Sequence, residues 1–158
     1  MKKIKPSAGL LMYRMKNGEP ELLLVHPGGP YWKKKDKGGW SIPKGEADND
    51  ESGDQLLDVA KREFEEETGI KPFGTFRRLA SVRRSDGKIV EAWAFEGDCD
   101  TTRIRSNTIR IEWPPRSGKQ LEIPEVDRGE FFTIDRAKEK VHPSLVGLIE
   151  EFETLLHG

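Results

Sequence analysis

The 158-residue sequence predicts an α/β fold of mixed layers. Three observations carry this. Two pairs of apolar runs are each joined by an Asn-Gly or Asp-Gly step, one long segment has helical spacing, and a second helical segment closes the chain. Hairpins interleaved with helices bury their apolar faces by packing helix on sheet.

The elements follow in chain order. Ser7 to Arg14 is apolar, Lys16-Asn17-Gly18-Glu19-Pro20 interrupts it, and Glu21 to Val25 is apolar again, so a hairpin is expected. His26 to Gly39 is rich in Gly, Pro and Lys and reads as a loop carrying Tyr31 and Trp32. Trp40 to Pro43 is a short extended piece, because Pro43 steers Ile42 away from helix. Asp48 to Gly53 is a polar turn. Asp54 to Thr68 is a helix, with Leu57, Ala60 and Phe64 at i, i+3 and i+7 as its apolar stripe. Gly69 ends it and Pro72 blocks continuation. Thr75 to Arg83 and Lys88 to Phe95 flank Ser85-Asp86-Gly87 as a second hairpin. Then come a polar connection (Gly97 to Ser106), a strand (Thr108 to Trp113), a loop (Pro114 to Gly118), a short strand (Glu130 to Ile134) and a closing helix (Pro143 to Leu156). No repeat or linker divides the chain, so one domain over residues 1–158 is expected.

Composition narrows the function. Hydrophobic residues are 34% and charged residues 35%, which suits a folded protein with a highly charged surface. A net charge of -1 argues against a nucleic-acid binder held by bulk charge. Cys99 is the only cysteine, so neither an internal disulfide nor a thiolate zinc cluster can form. The basic start, Met1 to Pro6, lacks an apolar signal core, and no stretch is long enough to span a membrane. A cytoplasmic protein with no membrane partner is expected. The histidines His26, His142 and His157 are scattered and are assigned no role.

The end of the long helix carries the chemistry. Glu63, Glu66 and Glu67 stand at i, i+3 and i+4 and share one face, roughly 100° from the Leu57 stripe. Like charges at this spacing repel by a few tenths of a kcal/mol per pair, roughly. They also lie at the helix C-terminus, where the macrodipole disfavours negative charge. Taken alone, such a run is most often a solvated face. A hard dication turns the repulsion into coordination, and magnesium suits an all-oxygen site. A calcium loop at Asp48 to Gly53 is rejected, since its twelfth position is Val59.

Trp40-Ser41-Ile42-Pro43-Lys44-Gly45 precedes this helix and Arg62-Glu63-Phe64-Glu65-Glu66-Glu67-Thr68-Gly69-Ile70 ends it. Together they resemble the box of the Nudix hydrolases: a glycine, a spaced acid, then R-E-U-x-E-E-x-G-U with U apolar. The second half matches at every specified position. Counting back from Arg62, Asp54 occupies the acid position, and three extra residues lie between Gly45 and Asp54. The resemblance implies a Nudix-like α/β/α sandwich with a mixed sheet between helices, and a metal-dependent pyrophosphohydrolase.

It also implies residue roles. Glu63, Glu66 and Glu67 would bind Mg2+ or Mn2+ with the carbonyl of Gly45, and Arg62 would orient the carboxylates. Glu125 is the expected acid outside the box, as metal ligand or base, with Glu122 as rival. Lys44 is a candidate phosphate contact. Tyr31 and Trp32 are candidates to stack on a base, and Trp40 is expected in the core. Of the arginines at 77, 78, 83 and 84, strand alternation lets only half face one ligand; Arg83 is the expected substrate contact.

The Ser7-Ala8-Gly9 start and the box approach look most like the dinucleoside polyphosphate (Ap4A-type) branch, although the downstream tyrosine of that branch is absent. A small-molecule nucleotide polyphosphate, either a dinucleoside polyphosphate or a nucleoside triphosphate, is the expected partner. The alternatives are an RNA 5′-pyrophosphohydrolase, for which an RNA end is the one nucleic-acid partner considered, and a non-enzymatic Nudix-fold nucleotide sensor. Oligomeric state is left open.

Overall fold

A computed structural model describes residues 5–48 and 51–157; the first four residues and part of the predicted 48–53 turn lie outside them. The Asn17-Gly18 step closes the first hairpin between β1 (Ser7–Lys16) and β2 (Glu19–Pro27). Both turn residues have positive φ, 53° and 80°, as a two-residue type I′ connection demands. The strands run right up to the turn, pairing Lys16 with Glu19.

The second hairpin is less regular than its sequence predicts. β4 (Arg77–Arg78) and β5 (Val82–Arg83) both pair antiparallel with β6 (Ile89–Glu96). Arg78 faces Trp93 and Val82 faces Val90, so the first strand spends one residue more than its partner. That bulge falls at Leu79 to Ser81. β6 then runs parallel to β1, which makes the sheet mixed.

β9 (Val126–Thr133) completes the strand order β4-β6-β1-β2-β9. The predicted strand here was Glu130 to Ile134; the observed one begins earlier, and Ile134 instead opens α2 (Ile134–Lys140), a helix not expected. Thr133 caps it by accepting from the Arg136 N–H. The closing helix divides into a 3-10 turn, Pro143–Leu145, and α3 (Val146–His157). The expected strand at 108–113 is β7 (Thr108–Glu112), and it pairs with an unpredicted β8 (Gln120–Pro124) as a separate ribbon. No helix among the described residues is long and apolar enough to cross a membrane.

Strand alternation sorts the core into two layers. Leu11, Leu22, Leu24, Ala92 and Ala94 face α2 and α3, where Leu148, Ile149 and Phe152 meet them. Leu10, Met12, Leu23, Trp93 and Phe95 face α1 (Gln55–Thr68) and its Leu56, Val59, Ala60 and Phe64. Helices thus cover both faces of the sheet, the α/β/α sandwich that was expected. Trp40 is buried in the first layer, also as expected.

The helix stripe needs correcting. Leu57 is only partly buried, and the buried residues are Leu56, Val59, Ala60, Phe64, Glu67 and Thr68. At about 100° per residue, Glu63 and Glu67 lie within roughly 20° of Leu56 around the helix axis. The two carboxylates therefore continue the buried face itself and do not occupy a face beside it.

Candidate active site

Three segments build the site: β3 (Lys44–Glu46), the last turn of α1, and the loop between β8 and β9. β3 pairs with the first three residues of β1, in the gap left where β2 diverges toward β9. That edge places the Lys44-Gly45 backbone directly on α1. The Lys44 N–H donates to Glu67 Oε2 at 3.2 Å. A Cβ built on Gly45 would stand 2.2 Å from Glu63 Cδ, so only glycine lets the strand and that carboxylate meet. Gly69 ends the helix with φ 75° and returns its N–H to Glu65 O at 2.8 Å.

The carboxylates strain against one another. Burial pushes the Glu67 carboxyl up to about 9, helped by the charges of Glu125 and Glu63 and opposed by Lys44. Burial also lifts Glu63 to about 7, with Glu66 and Glu125 adding to the rise. Lys44 is itself held below the ordinary lysine value by burial, against the pull of Glu67. One lysine thus stands against several carboxylates. Among the described residues no three acidic, cysteine or histidine side chains close into a cation cage; the glutamates form an open array.

Glu125 joins this array through Asn107, a residue given no role from sequence. The Asn107 side chain donates to Glu125 Oε1 at 3.0 Å, and the Glu125 N–H donates to the Asn107 carbonyl. The same segment caps the helix. The Asn107 N–H donates to Glu66 O at 2.8 Å and the Arg105 N–H to Thr68 O at 2.9 Å, satisfying carbonyls the helix leaves open. Glu122 lies on the ribbon, where its carboxylate accepts from the Thr108 hydroxyl.

Beside the array lies a cavity of about 250 Å³. Glu67, Glu125 and Lys44 line it together with Trp32, Arg84, His142 and Ser144, over an apolar floor that includes Val25 and Ile42. Of the expected substrate contacts, Lys44 and Trp32 line this cavity. The other two candidates do not. Tyr31 is 56% exposed and packs edge-on against Trp113, with ring centres 5.0 Å apart. Arg83 is exposed, and it is its neighbour Arg84, just past the end of β5, that lines the cavity. The bulge at Leu79 to Ser81 is what an ungapped alternation count cannot see. Arg62 pairs with Glu51 at 3.4 Å, and Asp54, the acid expected by spacing, is exposed with no capping bond. The box places its acid six residues after the glycine, and Glu51 has that spacing from Gly45, so the three additional residues, 52–54, fall between it and α1.

The histidines assigned no role divide. His26 is fully buried, its ring contacting the Asp127 carboxylate at 3.0 Å through Nδ1 and the Lys35 carbonyl at 2.6 Å through Nε2. It anchors the 28–39 loop, which Asp36 also holds by accepting from Trp40 Nε1 and pairing with Lys140. His142 is in the cavity wall.

The family model described as NUDIX domain matches residues 3–152. No curated protein is significantly similar in sequence. Among solved structures, an Ap4A hydrolase binary complex from C. elegans is 21% identical, with a TM-score of 0.66 over 96% of this chain and 98% of that one. The NUDIX domain of Shewanella oneidensis NrtR complexed with ADP ribose is 18% identical, with a TM-score of 0.63 over 99% and 90%. A mutT/nudix family protein from Listeria innocua is 16% identical, with a TM-score of 0.64 over 99% and 96%. At these identities the likeness is one of fold.

Proposed function

The chain belongs to the NUDIX domain family, hydrolases of phosphoanhydride bonds, and we propose that it is a single-domain, divalent-metal-dependent pyrophosphohydrolase of nucleotide polyphosphates. The observation that carries this reading is the set of Glu63, Glu67 and Glu125, desolvated or mutually repelling, with Lys44 as the cation among them. Such a set is costly for a fold and suited to a hard cation. The donors fit one: all are oxygens, and the absence of a side chain on Gly45 lets its backbone lie against Glu63.

Glu63, Glu66 and Glu67, with the Gly45 carbonyl, would hold Mg2+ or Mn2+. When bound, the metal neutralises phosphate charge and activates water. The chain's own residues supply the rest. Lys44 offers a charge to a phosphate oxygen from the edge of the array. Glu125, with Oε1 tied to Asn107, keeps its other oxygen for the proton of the attacking water. Trp32 gives the cavity an aromatic wall against which a base can lie. Arg62, paired with Glu51, acts by bracing the helix against the preceding loop. The C. elegans Ap4A hydrolase and the NrtR domain complexed with ADP ribose share this fold, which supports a nucleotide as the substrate class. The unpaired Cys99 suits a cytoplasmic setting.

The test is a nucleotide panel with Mg2+ or Mn2+, products resolved by chromatography, in isotopic water to locate the attacked phosphorus. Turnover is expected, abolished by a chelator and by Glu66→Gln. Full turnover in Glu66→Gln would overturn the reading. No turnover on any member would favour the nucleotide sensor, and a strong preference for triphosphorylated RNA ends would favour the RNA enzyme.

A further inference from the structure

The cavity is lined by groups of opposite character. Glu67 and Glu125 are acidic, while Arg84, His142 and Ser144 line it as well and are not part of the metal array. His142 is held firmly. Its N–H donates to the Trp40 carbonyl at 2.8 Å, and Val141 bridges to Trp40. Its side chain caps the Pro143–Leu145 turn by accepting the Ser144 N–H on Nδ1 at 3.2 Å, with Ser144 Oγ at 2.7 Å from the same nitrogen. An Nδ1 that accepts carries no proton, so the neutral ring carries its hydrogen on Nε2. Burial first, then the charges of Arg84, Lys35 and Lys44, lower the pKa of this ring.

Nε2 has no protein partner among the described residues, and no buried side-chain nitrogen there is unsatisfied, so this N–H is open to a ligand. Arg84 reaches the same cavity from the end of β5, whose Val82 packs against Gly147 at the start of α3; a Cβ on Gly147 would be 3.1 Å from Val82 Cγ1. The Arg84 guanidinium and a fixed imidazole N–H therefore line the same cavity, with Lys35 and Lys44 near enough to act on the imidazole. Arg84 has one surface partner, Asp86 at 3.3 Å.

We infer that Arg84 and His142, the latter held in place by Ser144, form an anion subsite for a substrate phosphate other than those held at the glutamate array. This rests on the hydrolase reading and deepens it. The preferred substrate is then a polyphosphate that extends from the glutamates to Arg84 and His142, and not a diphosphate joined to an uncharged group. His142 acts here as a binding residue, donating Nε2–H to a phosphate oxygen beside the guanidinium.

The test uses two variants that separate cap from donor. In His142→Asn, the amide oxygen can replace Nδ1 as the cap but cannot reach the Nε2 position. In His142→Gln, the longer amide can supply the distal donor but not the cap. His142→Asn is expected to keep Tm and to raise KM about tenfold for a nucleoside triphosphate or dinucleoside tetraphosphate, with little change for a nucleoside diphosphate sugar. His142→Gln is expected to lower Tm and keep KM. Arg84→Gln should behave as His142→Asn. Calorimetry with tripolyphosphate and metal-free protein gives an activity-independent readout: wild type binds, and both Arg84→Gln and His142→Asn lose most of that binding. If the chain hydrolyses nucleotides but these variants bind tripolyphosphate like wild type, the subsite is wrong and the hydrolase reading stands. If tripolyphosphate binding depends on both residues while no nucleotide is cleaved, the subsite stands and the hydrolase reading falls. An equal KM rise for the diphosphate sugar would also overturn the inference.

Discussion

The Cα of Gly45 rests against the carboxylate of Glu63, so closely that a Cβ there would stand 2.2 Å from Cδ and 2.3 Å from Oε2. Gly45→Ala must therefore displace either the strand or the glutamate. Overpacking of this kind costs about 1–3 kcal/mol. Displacing a reacting group by about 1 Å is enough for a loss on the order of a hundredfold. The expected result is a modest fall in Tm with kcat down about a hundredfold. Wild-type kcat in a folded Gly45→Ala protein would show that Glu63 does not need this approach.

Glu63 and Glu67 make the metal-free protein sensitive to pH, and the sign is fixed by their direction. Both carboxyls bind protons more tightly folded than unfolded, so their contribution is complete below about 4.5, the ordinary value. It is lost as pH rises, through about 7 for Glu63 and about 9 for Glu67. In chelator, thermal stability is expected to fall from pH 5 to pH 9. Glu67→Gln replaces the buried acid with a neutral amide and removes the share of that fall that Glu67 contributes across the interval. The Tm of wild type minus that of Glu67→Gln should therefore decline across the interval and end negative at pH 9. Saturating Mg2+ should reverse the trend, because coordination takes the deprotonated acids. Scanning fluorimetry at several pH values checks this; a difference that grows more positive with pH refutes it.

The reach of sequence reasoning here depended on how local each signal was. Asn17-Gly18 needs only its own backbone to force a hairpin, and Gly69 only its own φ to end α1. Both are legible for that reason. The array Glu63-Glu66-Glu67 is equally local, since one helix presents all three. Its burial was not legible: the stripe was centred on Leu57, and only the packing of Leu56 and Val59 under the sheet shows that the same face carries Glu63 and Glu67 inward. α2 was hidden because Asp135 to Lys140 is mostly charged, and its one buried residue is Ala137. The cavity wall was hidden for a different reason. Arg84 and His142 lie far apart in sequence and meet only because β5 packs beside the Pro143–Leu145 turn, so no spacing rule connects them. Asn107 belongs to the same class.

Arg62 and Glu51 test how much an exposed ion pair within the box contributes. Their 3.4 Å contact joins α1 to the loop before it, with the arginine 45% exposed. Pairs of this kind are worth about 0.2–1 kcal/mol. A double-mutant cycle of Arg62→Ala and Glu51→Ala should give a coupling below about 1 kcal/mol in denaturant unfolding at low salt, and less at high salt. A coupling of several kcal/mol would mean that the pair carries more of the helix position than its exposure allows.

Asn107 does two jobs that substitution can separate. Its backbone N–H caps the last turn of α1 through Glu66 O, and its side chain tethers Glu125 Oε1. Asn107→Ala keeps the first and loses the second. A hydrogen bond to a charged group is worth about 1.5–3 kcal/mol, so a Glu125 freed from it should spend most of its time out of position. Activity is expected to fall about tenfold to a hundredfold through kcat, with KM and helix content little changed. Asn107→Asp should be worse than Asn107→Ala, because it sets a second carboxylate against Glu125. In a Glu125→Gln background the Asn107→Ala change should cost almost nothing further, since the two residues act as one unit. Steady-state kinetics on the four proteins decides it: additive losses would place Asn107 outside the Glu125 relationship and leave its side chain a purely structural part of the loop.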